Sequence, residues 1–242
     1  MCFVFINGKG SDRACSEILT MNVESSCDIR LKWPFRLLIS GSSGLGKTTL
    51  VVRMLKNWTH CMDRKPKFIH IFFHHMQPLY TEIKHKSPCP VIFHTEPPTE
   101  DFVTDKGALI LFDDLQGDKK VVDVIREFFT RRSHHDDLSI CYICQSLFEK
   151  HPAHRIISLN TTYMIIFSSP RDQSQIMNLS KQIYPGADNL LVSVSSAIVR
   201  DSGMRGSYLV IDLSPDTPEN YRLRNTLFPE SDFPNAFAYV RV

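Results

Sequence analysis

Residues 41 to 48 read GSSGLGKT, with glycines at 41, 44 and 46 and a Lys-Thr pair directly behind the last of them. Glycines let backbone amides close on an anion, an ammonium offsets phosphate charge, and a neighbouring hydroxyl can hold a divalent cation. Gly41, Ser42, Ser43, Gly44, Leu45, Gly46, Lys47, Thr48 and Thr49 are therefore the expected cradle for ATP, with Lys47 reaching the β and γ phosphates and Thr48 holding Mg²⁺. Composition alone would generate this pattern in roughly three such chains per thousand. A second stretch, ALILFDDL, delivers Asp113 and Asp114 at the end of an apolar run. Asp113 is expected to contact Mg²⁺ through water, and Asp114 to orient and deprotonate an attacking water. A third stretch, SICYIC, ends at Gln145, whose amide could donate to the γ phosphate or position that water.

Such groups must be brought to one rim by a frame, and the sequence offers one. Apolar runs at 35 to 40, 68 to 73, 91 to 94, 108 to 112, 139 to 144, 163 to 167 and 208 to 213 read as strands. Most are continuous rather than alternating, as strands buried on both faces should be. Helical patterns lie between them. Asp118 is placed to cap a helix whose buried stripe holds Val121, Val122, Ile125, Phe128 and Phe129. A helix after Asp172 sets Ile176, Leu179 and Ile183 on one face and stops at Pro185 and Gly186; another ends at Gly203. The helix behind the glycine loop would bury Leu50, Met54 and Leu55. Alternating strands and helices predict a mostly parallel central sheet flanked by helices, an α/β fold. The long interval between Lys47 and Asp113 holds two strand runs, so a strand is expected between the cradle strand and the acidic one, as in the RecA and AAA-like division of P-loop NTPases. Residues 34–242 read as the ATPase domain. Residues 1–33 fit no period and are left as an arm of unknown structure, with an extra strand or poor order as the alternatives.

Composition excludes little. A formal charge of +2 neither requires nor rules out a nucleic-acid partner. Seven irregularly spaced cysteines read as thiols in a reducing compartment, and Cys141 and Cys144, three apart on one strand, should face opposite sides of a sheet rather than clip a metal. The opening MCFVFINGKG lacks a basic leader, and no run reaches the ~18 apolar residues of a membrane span, so a soluble intracellular protein with no membrane partner is expected. His70, His74, His75, His134 and His135 lack the spacing of a zinc quartet, and a satisfied polar histidine is the better reading; His134 and His135, behind the arginine pair, could instead contact a neighbouring subunit or DNA. Short basic clusters such as 63 to 67, 84 to 86 and 131 to 135 are scattered, and no DNA-contact residue is assigned from them.

Together, GSSGLGKT, LILFDDL, FFTRRSHHDDLSICYICQSLF, RIISLNTTYMIIFSSPRDQSQI and PDTPENYRLRNTLFP resemble the genome-packaging ATPases of the FtsK/HerA superfamily, in the poxvirus-type branch of large DNA viruses and Polinton-like elements. The likeness runs from about Trp33 to Pro229, and the block from Phe128 to Phe148, with Gln145 after its strand, is its most specific part. It implies a homo-oligomeric ring, commonly of six subunits, that grips double-stranded DNA and couples ATP hydrolysis to its translocation into a capsid. It further implies a capsid partner and a place in the host cytoplasm, nucleus or virion. In such rings an arginine of one subunit completes the neighbour's catalytic site. Arg131, Arg132, Arg155 and Arg171 are the candidates here, with Arg131 preferred. The chain departs from the pattern at Asp114, where glutamate is common, and in TRRSHH, which has arginine where relatives carry glycine. Another P-loop DNA motor, a nucleotide-dependent scaffold and a small-molecule kinase are the competing readings, the last disfavoured by Gln145 and the expected strand order.

Overall fold

The computed structural model describes residues 4–5, 18–24, 27–202, 206–232 and 235–241. Its strands are β1 (Val4–Phe5), β2 (Ile18–Asn22), β3 (Arg36–Ser40), β4 (Phe68–Phe73), β5 (Val91–His94), β6 (Ala108–Asp113), β7 (Ser139–Cys144), β8 (Tyr163–Phe167), β9 (Tyr208–Asp212), β10 (Leu223–Arg224) and β11 (Phe237–Arg241). Among the described residues they form one sheet in the order β1-β2-β11-β10-β9-β8-β3-β7-β6-β4-β5. The seven apolar runs are β3 to β9. From β8 to β5 every pairing is parallel, whereas β9, β10, β11, β2 and β1 continue the sheet as an antiparallel wing that the expectation of a mostly parallel sheet did not include. Within the first 33 residues, β2 pairs along its length with β11, from Phe237 opposite Asn22 to Arg241 opposite Ile18. Most of that segment lies outside the described residues, as does the Gly203 at which a helix was expected to stop.

A strand does lie between the cradle strand β3 and the acidic strand β6. It is β7, which follows the acidic motif in sequence, and not one of the two runs in the Lys47 to Asp113 interval. Those two, β4 and β5, sit outboard of β6. Crossover helices that pack on either face of a parallel sheet let sequence neighbours become spatial second neighbours.

Period-two alternation divides the core. On β6, Ile110 and Phe112 join Val121, Val122, Ile125 and Phe128 of the following helix, while Leu109 and Leu111 join Leu50, Met54 and Leu55 of the helix Lys47–Lys56. Cys144 and Cys141 fall in these two opposite clusters, as their spacing required, and burial pushes the Cys144 thiol up to about 12. Asp118 caps the helix Lys119–Glu127 by accepting from the Lys120 amide at 2.9 Å. No helix among the described residues is long and apolar enough to cross a membrane.

His70 is buried on β4, facing the edge strand β5, its Nδ1 3.0 Å from His94 Nε2 and its Nε2 2.8 Å from Thr104 Oγ1. Burial holds its pKa near 4, and does the same for the buried His154. Both return to about 6.5 on unfolding, so below that pH the unfolded chain binds more protons. Stability should therefore be intact above about pH 6.5 and decline as pH falls towards 4, by at most ~3 kcal/mol per histidine. Thermal denaturation across this window checks it, and His70→Gln should flatten the slope.

Candidate nucleotide site

The helix Lys47–Lys56 begins behind Gly46, which adopts φ 96°, a left-handed conformation that a side chain would resist. No side chain caps this helix start, which leaves its amides directed at the loop cavity. Lys47 Nζ donates to Gly41 O at 2.6 Å and to Ser42 O at 3.1 Å, so the ammonium stands inside the loop. Its burial lowers its pKa.

At the end of β6 the two aspartates part company. Asp113 is buried, and its Oδ2 accepts from Thr48 Oγ1 at 3.3 Å and from the Tyr80 hydroxyl at 2.7 Å. Burial raises its carboxyl pKa. Asp114 breaks the strand at φ 57° and turns its exposed carboxylate to Gln145, whose Nε2 donates to its two oxygens at 2.9 and 3.1 Å. Left-handed backbone at a non-glycine costs of order 1–3 kcal/mol and tends to persist where a side chain must be aimed. Here it lets adjacent residues face different targets. The backbone N–H of Gln145 donates to Gln116 Oε1 at 2.9 Å, which fixes the chain from which that side chain springs.

These parts surround one cavity of about 270 Å³, lined by Ser43, Gly44, Gly46, Lys47, Thr48 and Thr49 of the loop and helix, by Asp113, Asp114 and Gln145, and by Gln77 and Leu79. Thr48 Oγ1 and Asp113 Oδ2 form the adjacent pair of oxygens that a hard divalent cation takes, so the residues fit Mg²⁺. On the other flank, Ser42 Oγ donates to Asp172 Oδ2 at 3.3 Å, and Gln175 joins Asp172 to the loop behind Gln145 by accepting from Ser146 Oγ and the Leu147 amide.

The four arginines are dispersed. The helix Lys119–Glu127 starts at the cavity edge of the sheet and runs back, so its extension Phe128–Arg132, a π-type turn, ends at the opposite edge, beside Arg36 at the start of β3. There Arg132 is committed within the chain: its Nε donates to Asp136 at 3.0 Å and its guanidinium lies 4.3 Å from the Phe128 ring. Arg131 projects outward, its side chain 75% exposed, with Glu127 at 3.8 Å. Arg155 is exposed on the helix Pro152–Leu159, and Arg171 is exposed beside Asp172 on the flank of this same cavity.

Sequence reasoning missed Gln77, Leu79, Tyr80 and Gln116. A signal for the first three exists: Gln77-Pro78, separated by three residues from the run FIHIFF, starts a helix near the carboxyl end of a parallel strand, where ligands of α/β sheets bind.

The strand, glycine loop and helix at β3, with β7 set between it and the acidic β6, make this an α/β P-loop NTPase fold. No family model and no curated protein matches the chain. Among solved structures it is similar to the genome packaging NTPase B204 from Sulfolobus turreted icosahedral virus 2 in complex with sulfate, at 16% identity over 76% of this chain and 94% of that one, with a TM-score of 0.46. It is also similar to B204, the DNA-packaging ATPase from Sulfolobus turreted icosahedral virus, at 13% identity over 73% and 91%, TM-score 0.44, and to the flagellar accessory protein FlaH from Methanocaldococcus jannaschii, at 13% over 57% and 73%, TM-score 0.40.

Proposed function

We propose that the chain is an ATP-hydrolysing translocase of double-stranded DNA that packages a viral or virus-like genome into a capsid, working as a homo-oligomeric ring. The observation that carries the ATPase part is the convergence of Lys47, Thr48, Asp113, Asp114 and Gln145 on one cavity. Translocation and packaging rest on the motif block from Phe128 to Phe148 described above. Arg131, exposed at the edge away from its own cavity, suits a site completed by a neighbouring subunit.

In this reading Lys47 exchanges its two loop carbonyls for β and γ phosphate oxygens, and the loop amides take the rest of the charge. Thr48 and Asp113 would hold Mg²⁺, which would draw negative charge from the phosphates. Gln145 and Asp114 hold a water in line with the γ phosphorus; its oxygen forms the new P–O bond as the bond to the bridging oxygen breaks, and its proton passes to Asp114. ADP and inorganic phosphate result. The bond from Gln145 Nε2 to Asp114 keeps that carboxylate facing the cavity and must yield for the water to enter.

Tyr80 fixes the Asp113 oxygen nearest Thr48. Tyr80→Phe keeps the ring against Phe73 and Phe93, 4.7 and 6.0 Å between centroids, and removes only the hydroxyl. Loss of a hydrogen bond to a metal ligand commonly costs 10–100-fold in metal affinity or activity. A Mg²⁺ titration of hydrolysis should therefore shift by about tenfold or more with the melting temperature nearly unchanged, and an unchanged titration would remove Tyr80 from this role.

The function is tested by ATPase assays of the assembled oligomer with and without duplex DNA. Stimulation by duplex is expected. Hydrolysis indifferent to DNA in a properly assembled ring contradicts a motor and favours a nucleotide-dependent scaffold.

A further inference from the structure

The phosphate cavity, at about 270 Å³, is smaller than the ~300–1,000 Å³ of usual small-molecule sites. It has room for a polyphosphate and its cation, and its lining offers no aromatic surface for the base of a nucleotide. A second cavity, of about 620 Å³, opens on the antiparallel wing beside β9, between the β10 segment and the helix Leu190–Ser202. Nothing in the hydrolytic chemistry uses it.

Two observations join the cavities. Thr49 lines the first and Arg53 the second. Four residues apart on one helix, they share a face and stand about 6 Å apart along its axis. Gly206, on the wall of the second cavity, adopts φ 87°, and a Cβ there would lie 2.9 Å from the carbonyl oxygen of Leu45 in the phosphate loop. The larger cavity thus abuts the back of the loop, on the side away from Asp113 and Gln145.

Its lining has the chemistry of a nucleoside site. Tyr208 and Phe237 present half-buried aromatic side chains for a planar base, and Tyr208 is held against Phe167 at 5.4 Å between centroids. The Asp201 carboxylate is exposed at the cavity and can accept from ribose hydroxyls, a pairing that recurs in nucleotide sites. Arg53 is fixed in place by Asp232 and by Phe228, 4.2 Å below its guanidinium, so it offers a positioned donor rather than a mobile one.

The geometry points to this second cavity as the site of the base and ribose of ATP, reached by a nucleotide laid along the helix face from Thr49 to Arg53. The inference rests on the phosphate-site reading above. It places the nucleoside on the antiparallel wing, so this part of the sheet has a direct role in substrate binding.

Two measurements on the full chain test it. Photolabelling with 2-azido-ATP, displaceable by ATP, should modify peptides that carry Tyr208 or Phe237; displaceable label confined to other peptides, such as one around Pro170–Gln173, overturns the assignment. Asn235 lines the cavity with an exposed side chain, and Asn235→Trp should obstruct it. A lost base stack predicts ATP binding weakened about tenfold or more, with the affinity for inorganic tripolyphosphate unchanged. Equal loss for both ligands, or none for ATP, overturns the assignment. Failure of the unaltered chain to bind tripolyphosphate at all would sink the phosphate-site reading, and this inference with it.

Discussion

Lys47→Ala should lower kcat for ATP hydrolysis by at least about 10²–10³-fold, the loss that follows removal of one preorganised donor to transition-state charge. The ammonium stands within the glycine loop, bonded to two carbonyls of that loop, with no carboxylate among its hydrogen-bond partners. Burial lowers its pKa, so a bound anion would satisfy a charge that the protein alone leaves costly. The helix that follows is anchored by Leu50, Val51, Met54 and Leu55, none of which depends on the amine, so the melting temperature should stay within a few degrees. Steady-state hydrolysis beside thermal melting separates lost chemistry from lost fold. Near-normal turnover in a folded Lys47→Ala protein would place the reaction elsewhere.

Arg131→Ala should cost more, about 10³-fold or above, if this arginine enters the neighbouring site as the charge-stabilising finger of phosphoryl transfer. Its own cavity is out of reach. The five residues of β3, at ~3.3 Å each, separate the two edges of the sheet by roughly 15 Å, longer than an arginine side chain. Arg132 makes the contrast, since its bond to Asp136 and its seat on Phe128 serve the fold. Arg132→Ala should therefore lower stability more than it lowers turnover. A mixing experiment gives the sharper test. Arg131→Ala and Lys47→Ala proteins should each be inactive alone, and co-assembly should restore activity at junctions that pair an intact loop with an intact arginine. If the mixture stays dead while the oligomers form, Arg131 does not act across the interface.

What the sequence made legible follows from burial. Strands covered on both faces must be apolar throughout, and β3, β4 and β6 to β9 announce themselves for that reason. The wing does not. Leu223–Arg224 is too short to show a period, and Phe237–Arg241 has only its middle buried. Arg224 is further disguised: a fully buried cation, offset by the equally buried Asp212 at 3.2 Å and by the Ile29 carbonyl, to which it donates at 3.1 Å. Spatial order was legible in part, because a long interval implies an inserted strand without saying which one. The site divides similarly. Lys47 and Thr48 stand out through the glycine spacing in front of them, and Asp113, Asp114 and Gln145 because their types are incongruous at the ends of apolar strands, whereas Tyr80 reads as an ordinary apolar-face residue of the helix Pro78–Lys86 until its hydroxyl is seen on Asp113. The left-handed turn at Asp114 carries no sequence signal at all, since aspartate is one of several residues that tolerate it.

The central claim is that Lys47, Thr48 and Asp113 meet on one metal-bound nucleotide. Crystals grown with a slowly hydrolysed ATP analogue and Mn²⁺ in place of Mg²⁺, with data collected at the manganese edge, test it directly. A single anomalous peak should lie about 2.0–2.4 Å from Thr48 Oγ1, with Asp113 bound to it directly or through one water and the Lys47 amine on the β and γ phosphates. A nucleotide seated with its metal remote from Thr48 and Asp113, or a glycine loop that stays closed on Lys47 at saturating nucleotide, would contradict the account.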